Sequence, residues 1–214
     1  MGRDKGLLEL GGVPLILHTA RLLEPFVSDV TIVGSPRRYS ALGLSAIEDD
    51  AYAQGGDRCG PLAGIATALA ATNARWNLIV ACDLPYLSAE WIDWLLSRAV
   101  RSRGEAVVPQ TERGMEPLAA VYRRECGAPV AAALAGGVRK VSDAIKECRV
   151  DLVYAREWRG IDRSGLILRN MNSPGDYQEA QKWWAANRPP ANEDVTARRR
   201  KPKRKPRSAP RRRR

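Results

Sequence analysis

The run Leu78-Ile79-Val80-Ala81-Cys82, apolar throughout and closed by Asp83-Leu84-Pro85, constrains the fold more than any other stretch of this chain. A strand that is apolar on both faces must be covered on both faces, which requires a sheet with helices on either side. The rest of the sequence supplies the matching alternation. Apolar residues at helical spacing predict helices over 14–23, 61–71, 88–98, 128–134 and 174–186. Short apolar runs predict strands over 30–34, 44–48, 106–109, 118–122, 150–154 and 166–168. Pro14 suits a first helical turn, where its missing N–H would be unpaired anyway, and Ser88 suits an N-cap. Strands alternating with helices of this length predict an α/β, three-layer fold with a mostly parallel sheet. Ligands of such folds bind beyond the carboxyl ends of the strands, so Asp83, Asp49 and the loop at Gly34 fall on the binding rim.

Charge separates this body from a tail. The chain has 214 residues and a formal charge of +11, but 12 of its 35 basic residues lie between Arg198 and Arg214, where there is no acid. The remaining 23 basic residues face 24 acidic ones, a net of −1. Residues 1–187 therefore read as one near-neutral domain, and 188–214 as a basic tail expected to be disordered, since Pro, Arg and Lys cannot bury apolar surface. The tail is either an electrostatic arm for an anionic partner or a solvated extension. Cys59, Cys82, Cys126 and Cys148 form no C-x-x-C pair, and no signal sequence or spanning apolar run is present, so a cytoplasmic protein with free thiols is expected. His18 is the single histidine, which argues against zinc catalysis and Ser-His hydrolysis, and no G-x-x-x-x-G-K-[ST] loop is present.

Four stretches could carry chemistry. In Met1-Gly2-x-Asp4-Lys5-Gly6-Leu7-Leu8, followed by Gly12-x-Pro14-Leu15, glycines would let the backbone approach an anion while the Lys5 ammonium neutralises phosphate charge; the alternative is a solvated lysine. Asp4 is better placed to order this loop than to react. Asp83, delivered by an apolar strand, offers a hard oxygen to Mg²⁺, or else begins a turn. Gly60-Pro61-Leu62-Ala63-Gly64 leads into a helix N-terminus, and its small residues serve close ligand approach or tight helix packing. In Asn170-Met171-Asn172-Ser173-Pro174-x-Asp176, an N-cap at Ser173 accounts for Ser173 and Pro174 but leaves both asparagines unexplained.

Taken together and in this order, the stretches resemble molybdenum cofactor guanylyltransferases, within the wider group of Rossmann-like nucleotidyltransferases. The resemblance runs from residue 1 to about 186 and includes Met115-Glu116-Pro117-Leu118. It implies that Lys5 contacts the nucleotide, that Asp83 contacts the metal and the triphosphate, and that Asp49 or its neighbour Asp50 helps hold the guanosine. Asn170 and Asn172 are assigned to substrate or metal-shell contacts, and Arg139 and Lys140, after the flexible Gly136-Gly137, either suit the phosphate of a pterin or form a solvated helix start. The implied catalytic residues are Lys5 and Asp83, the implied metal is Mg²⁺ on Asp83, and the implied partners are GTP, molybdenum-molybdopterin and molybdoenzyme maturation proteins. The resembled family carries a strand and a Leu-Ala-Gly-Gly-x-x-x-Arg turn ahead of the head stretch. This leads to the expectation that the first strand is missing and that the start codon is placed one strand late, so that an upstream in-frame coding segment should be found. The implied reaction is transfer of GMP from GTP to the molybdopterin phosphate. Rival readings are a sibling transferase using CTP or a sugar phosphate, a nucleic-acid-binding protein built on the tail, and an inactive truncated product.

Overall fold

The apolar run over residues 78–82 enters a sheet as its edge strand, with helices on both faces. The computed structural model describes residues 4–49 and 60–187; Asp50, Cys59 and the tail 188–214 lie outside the described residues. The chain opens with a 3₁₀ turn, Lys5–Leu7, and a hairpin of β1 (Glu9–Leu10) and β2 (Val13–Pro14). Gly11 and Gly12 form the tip of that hairpin with φ of 60° and 81°, values that favour glycine. Pro14 accordingly ends β2 and caps α1 (Leu15–Leu23) instead of sitting in its first turn.

Next come β3 (Thr31–Val33), α2 (Pro36–Tyr39), β4 (Ser45–Ile47) and α3 (Gly60–Ala70). They are followed by β5 (Trp76–Val80), α4 (Ala89–Arg101), β6 (Ala106–Thr111), β7 (Gly114–Met115) and β8 (Ala119–Arg123). The chain finishes with α5 (Gly127–Ala135), α6 (Val141–Ala144), β9 (Val150–Tyr154) and α7 (Pro174–Asn187). The Ser88 Oγ accepts from the Trp91 amide at 3.3 Å and so caps α4, as its sequence predicts.

The larger sheet runs β5-β8-β6, with β7 and β9 both paired to β6. The smaller one pairs β3 with β4 in parallel. The three-layer α/β architecture is as expected, but the pairing is mixed, not mostly parallel. β8 runs antiparallel to both β5 and β6, while β9 is parallel to β6. Side-chain alternation divides the core. Val107 and Val121 face α4 through Trp91, Ile92 and Leu95. Val108, Ala120 and Tyr122 face α3 and α5 through Leu62, Ile65 and Val130.

The strand expected over 166–168 does not form. Ile167 and Leu168 are buried in the α4 face of the core, but they lie in a turn whose amides are held by a side chain. Asp162 accepts from the amides of Leu166 at 3.1 Å and Ile167 at 3.2 Å. A short apolar run signals burial, and a carboxylate can satisfy the backbone there as well as a neighbouring strand can.

Candidate active site

A third, small core assembles the site from distant parts of the chain. Leu10 and Leu15 of the head, Tyr86 of the loop after β5, Met171, and Ala180 of α7 pack together, all nearly fully buried. Met171 fixes the register, because its amide donates to the Asp83 carbonyl at 2.9 Å while its side chain enters this core. Its neighbours Asn170 and Asn172 lie on either side of that anchor.

Above the anchor, the Lys5 Nζ donates to Asp83 Oδ2 at 3.0 Å and to Asn172 Oδ1 at 2.8 Å. Lys5 remains one-third exposed and Asp83 only 16%, so the ammonium is the more open of the two to a ligand. The other oxygen of Asp83, Oδ1, is buried and has no hydrogen-bond partner among the described residues, and the same holds for Asn170 Oδ1. An unpaired buried oxygen is costly unless something else fills its lone pairs, so both are available to accept from or coordinate a ligand. The Cys82 thiol beside them is pushed up to about 12 by burial and then by the Asp83 charge, so it stays protonated and is no nucleophile.

Two carboxylates outside the centre order its loops. Asp4 caps the 3₁₀ turn by accepting from the Gly6 amide at 2.9 Å, and it also accepts from Arg38 and from the Tyr39 hydroxyl at 2.8 Å. Burial pushes its carboxyl upward, but these donors outweigh burial and hold it below the usual range. Asp176 Oδ2 accepts from the Ser173 hydroxyl at 2.8 Å and from the amides of Ser173 and Asn172. Those bonds hold its carboxyl at about 2. In return, the Asp176 amide donates to Ser173 Oγ at 3.1 Å, so the expected cap of α7 is reciprocal. Sequence reasoning placed Asp176 in a motif but gave it no part in the site; the S-x-x-D spacing ahead of α7 was the available signal.

The remaining candidates sit as follows. Asp49 is 7% exposed at the end of β4, and its Oδ1 accepts from Thr67 of α3 at 2.9 Å. The Arg139 guanidinium donates to the Leu134 and Val138 carbonyls, closing α5. His18 bonds the Leu10 carbonyl at 2.8 Å and lies against Trp184, a packing role. Gly64 and Pro61 of α3 line a cleft of about 710 Å³ that ends at Lys5, Asp83 and Asn170. A Cβ built at Gly64 would meet nothing within 4 Å, whereas one at Gly127 would meet Leu69 at 3.3 Å. The close helix contact in this region thus belongs to Gly127, and Gly64 faces open space.

A lysine, a carboxylate and two amides gather beyond the carboxyl end of β5 on a helix-covered sheet, the place where α/β folds of the Rossmann-like class take their ligands. The solved molybdopterin-guanine dinucleotide biosynthesis protein A of Archaeoglobus fulgidus shares the fold, with a TM-score of 0.73 over 86% of this chain and 92% of that one at 23% identity. The 2-C-methyl-D-erythritol 4-phosphate cytidylyltransferase of Thermus thermophilus shares it at 0.63, over 85% and 94%, with 17% identity. The family model for the MobA-like NTP transferase domain matches residues 1–149, and the chain belongs to that family. A probable molybdenum cofactor guanylyltransferase of Synechococcus elongatus is 33% identical over 85% of this chain and 91% of its own length. The molybdenum cofactor guanylyltransferase of Shewanella sediminis is 32% identical over 65% and 70%. Among the described residues no helix is long and apolar enough to cross a membrane.

Proposed function

We propose that this enzyme transfers GMP from GTP to the terminal phosphate of molybdenum-molybdopterin. The acceptor oxygen forms a bond to the α-phosphorus, the bond to the β-phosphate oxygen breaks, and pyrophosphate leaves with its electron pair. The observation that carries this reading is the convergence of Lys5, Asp83, Asn170 and Asn172 at the cleft mouth, in a chain whose relatives carry the guanylyltransferase name. The acceptor phosphate is already anionic, so positioning and charge neutralisation suffice and no strong base is required.

Within this reading Lys5 leaves Asp83 to pair with phosphate oxygens, and Asn172 keeps the ammonium aimed as it moves. Asp83 would hold Mg²⁺ through its free Oδ1, and Asn170 Oδ1 would sit in the same shell. The donor set fits that ion: one fixed carboxylate and an amide oxygen, with phosphate oxygens and water completing the coordination, is the usual Mg²⁺ arrangement. When bound, the ion neutralises charge on the triphosphate. Asp49 and its neighbour Asp50 are assigned to the guanosine side, and Arg139 and Lys140 to the pterin phosphate. Molybdoenzyme maturation proteins would receive the product.

The test is pyrophosphate release by the purified full chain given GTP, Mg²⁺ and molybdenum-molybdopterin, with CTP as competitor. Asp83→Asn is expected to lower turnover roughly 10²–10³-fold with the circular dichroism spectrum unchanged. Equal turnover in that variant, or preferential use of CTP, would overturn the assignment.

A further inference from the structure

The turn that carries Asn170 is reached by a hairpin far away in sequence. β6 runs in the same sense as β5, because β8 is antiparallel to both. The tip of the β6–β7 hairpin therefore projects from the same end of the sheet as Asp83. The segment between β9 and α7 crosses that end as well, since β9 is parallel to β6 and the Met171 amide donates to the Asp83 carbonyl at 2.9 Å. Arg113, at the hairpin tip, joins the two. Its Nη2 donates to the Leu168 carbonyl at 2.6 Å, across 55 residues of chain.

Leu168 lies two residues ahead of Asn170, whose Oδ1 is buried and without a partner among the described residues. Three bonds hold the backbone there: the Arg169 amide to the Leu166 carbonyl at 2.8 Å, the Met171 amide to Asp83, and Arg113 to Leu168. Among the described residues, Arg113 supplies the one side-chain bond to the backbone of 168–171. The guanidinium is itself aimed. Glu116 Oε1 accepts from it at 3.3 Å and from the Thr111 hydroxyl at 3.0 Å, while the Glu116 amide donates to the Pro109 carbonyl at 2.8 Å. The Arg113 amide donates to Thr111 Oγ1 at 3.2 Å, and Gly114, with φ of 125°, closes the tip. Arg113 is 56% exposed and Glu116 18%. An ion pair so open to water adds little to stability, so what this contact fixes is geometry.

We propose that Arg113 is a positioning residue of the site, which sets the Asn170 carboxamide through the Leu168 carbonyl. Asn170 lines the cleft together with Lys5 and Asp83. Arg113 touches no substrate in this role. Without its guanidinium, the backbone ahead of Asn170 loses its tie to the sheet, and the carboxamide is free to turn away from the cleft. The consequence for the reaction rests on the proposed place of Asn170 beside Mg²⁺: a loosened carboxamide weakens the hold on the ion and leaves the nucleotide contacts of other residues unchanged.

The test compares the full chain with Arg113→Ala, Arg113→Lys, Asn170→Ala and the double variant Arg113→Ala/Asn170→Ala. The first readout needs no ligand. Hydrogen exchange at the amides of Arg169 and Met171 is expected to quicken about fivefold or more in Arg113→Ala, with Tm within about 2 °C of the wild type. The side-chain amide signal of Asn170, identified by its loss in Asn170→Ala, should move or broaden in the proton–nitrogen NMR spectrum. Arg113→Lys keeps one charged donor and should restore about half of the exchange protection. The second readout is pyrophosphate release. The Mg²⁺ concentration for half-maximal rate should rise about fivefold in Arg113→Ala, while KM for GTP at saturating Mg²⁺ stays within about twofold. In the Asn170→Ala background the same substitution should change neither. The proposal is overturned if exchange and the Asn170 signal match the wild type, or if the effects of the two substitutions multiply. It is also overturned if KM for GTP rises instead, which would make Arg113 a substrate contact. A wild type that releases no pyrophosphate would remove the assigned reaction, and the ligand-free readout would still decide the role of Arg113.

Discussion

Asp176 acts on the site through the turn that carries Asn172, and its charge is what holds that turn together. Three donors converge on its Oδ2 and depress its carboxyl from 3.8 to about 2. A carboxyl depressed in the folded state contributes order above its unfolded value, and that contribution fades as pH falls through the folded one. The turn should therefore loosen between about pH 4 and pH 2. Trp183 and Trp184 on α7 report it, since Trp183 lies edge-on to Tyr86 and Trp184 lies against His18. Tryptophan emission of the wild type is expected to shift across that window, while Asp176→Asn should already show the loosened signal at neutral pH and stay flat. At neutral pH the same variant should lose roughly tenfold in turnover, because Asn172 no longer aims Lys5. At this scale the Lys5–Asp83 contact joins two residues that the sequence singles out by local pattern, a lysine in a glycine-flanked head and an aspartate after an apolar run. The service of Asp176 was not legible, because it depends on three backbone and side-chain donors meeting one oxygen.

Among the elements, α3 shows how a glycine left ambiguous by sequence is decided by what surrounds it. Gly64 sits mid-helix, faces the cleft and has nothing within 4 Å of its absent Cβ. Glycine inside a helix costs roughly 0.5–1 kcal/mol relative to alanine, and here no packing contact offsets that cost. Gly64→Ala should therefore raise the Tm by about 2–4 °C. If the open space serves the nucleotide, GTP affinity should fall in the same variant, as read by calorimetric titration; unchanged affinity would leave Gly64 without a ligand role. The elements themselves were largely legible because burial on both sheet faces imposes short apolar runs, as in β6, and one-sided burial imposes the Trp91-Ile92-Leu95-Ala99 stripe of α4. What stayed hidden was pairing. Nothing local in Ala119–Arg123 tells that it runs against both neighbours, and nothing in residues 166–168 tells that a carboxylate takes the place of a partner strand.

For the molecule as a whole, the separation of charge from catalysis is the consequence that can be checked directly. The +11 formal charge suits an anion-binding protein, yet without residues 198–214 the chain carries −1. The long-range field therefore belongs to the tail, and the proposed site relies on short-range pairs such as Lys5 with Asp83. Counterion release makes the tail's contribution measurable, because each phosphate it neutralises on duplex DNA adds about −0.9 to the slope of log affinity against log salt. The full chain should bind duplex DNA with a steep slope of several units. The chain ending at Ala197 should bind at least a hundredfold more weakly at low salt, with a slope near zero. Its Tm and its pyrophosphate release should match those of the full chain, since none of the residues that build the site lies in the removed stretch. A truncated chain that keeps the slope would move the anion-binding surface onto the body. One that keeps its Tm but loses turnover would mean that the tail delivers a substrate, and the charge separation would then be functional, with tail and site acting on the same anionic ligand.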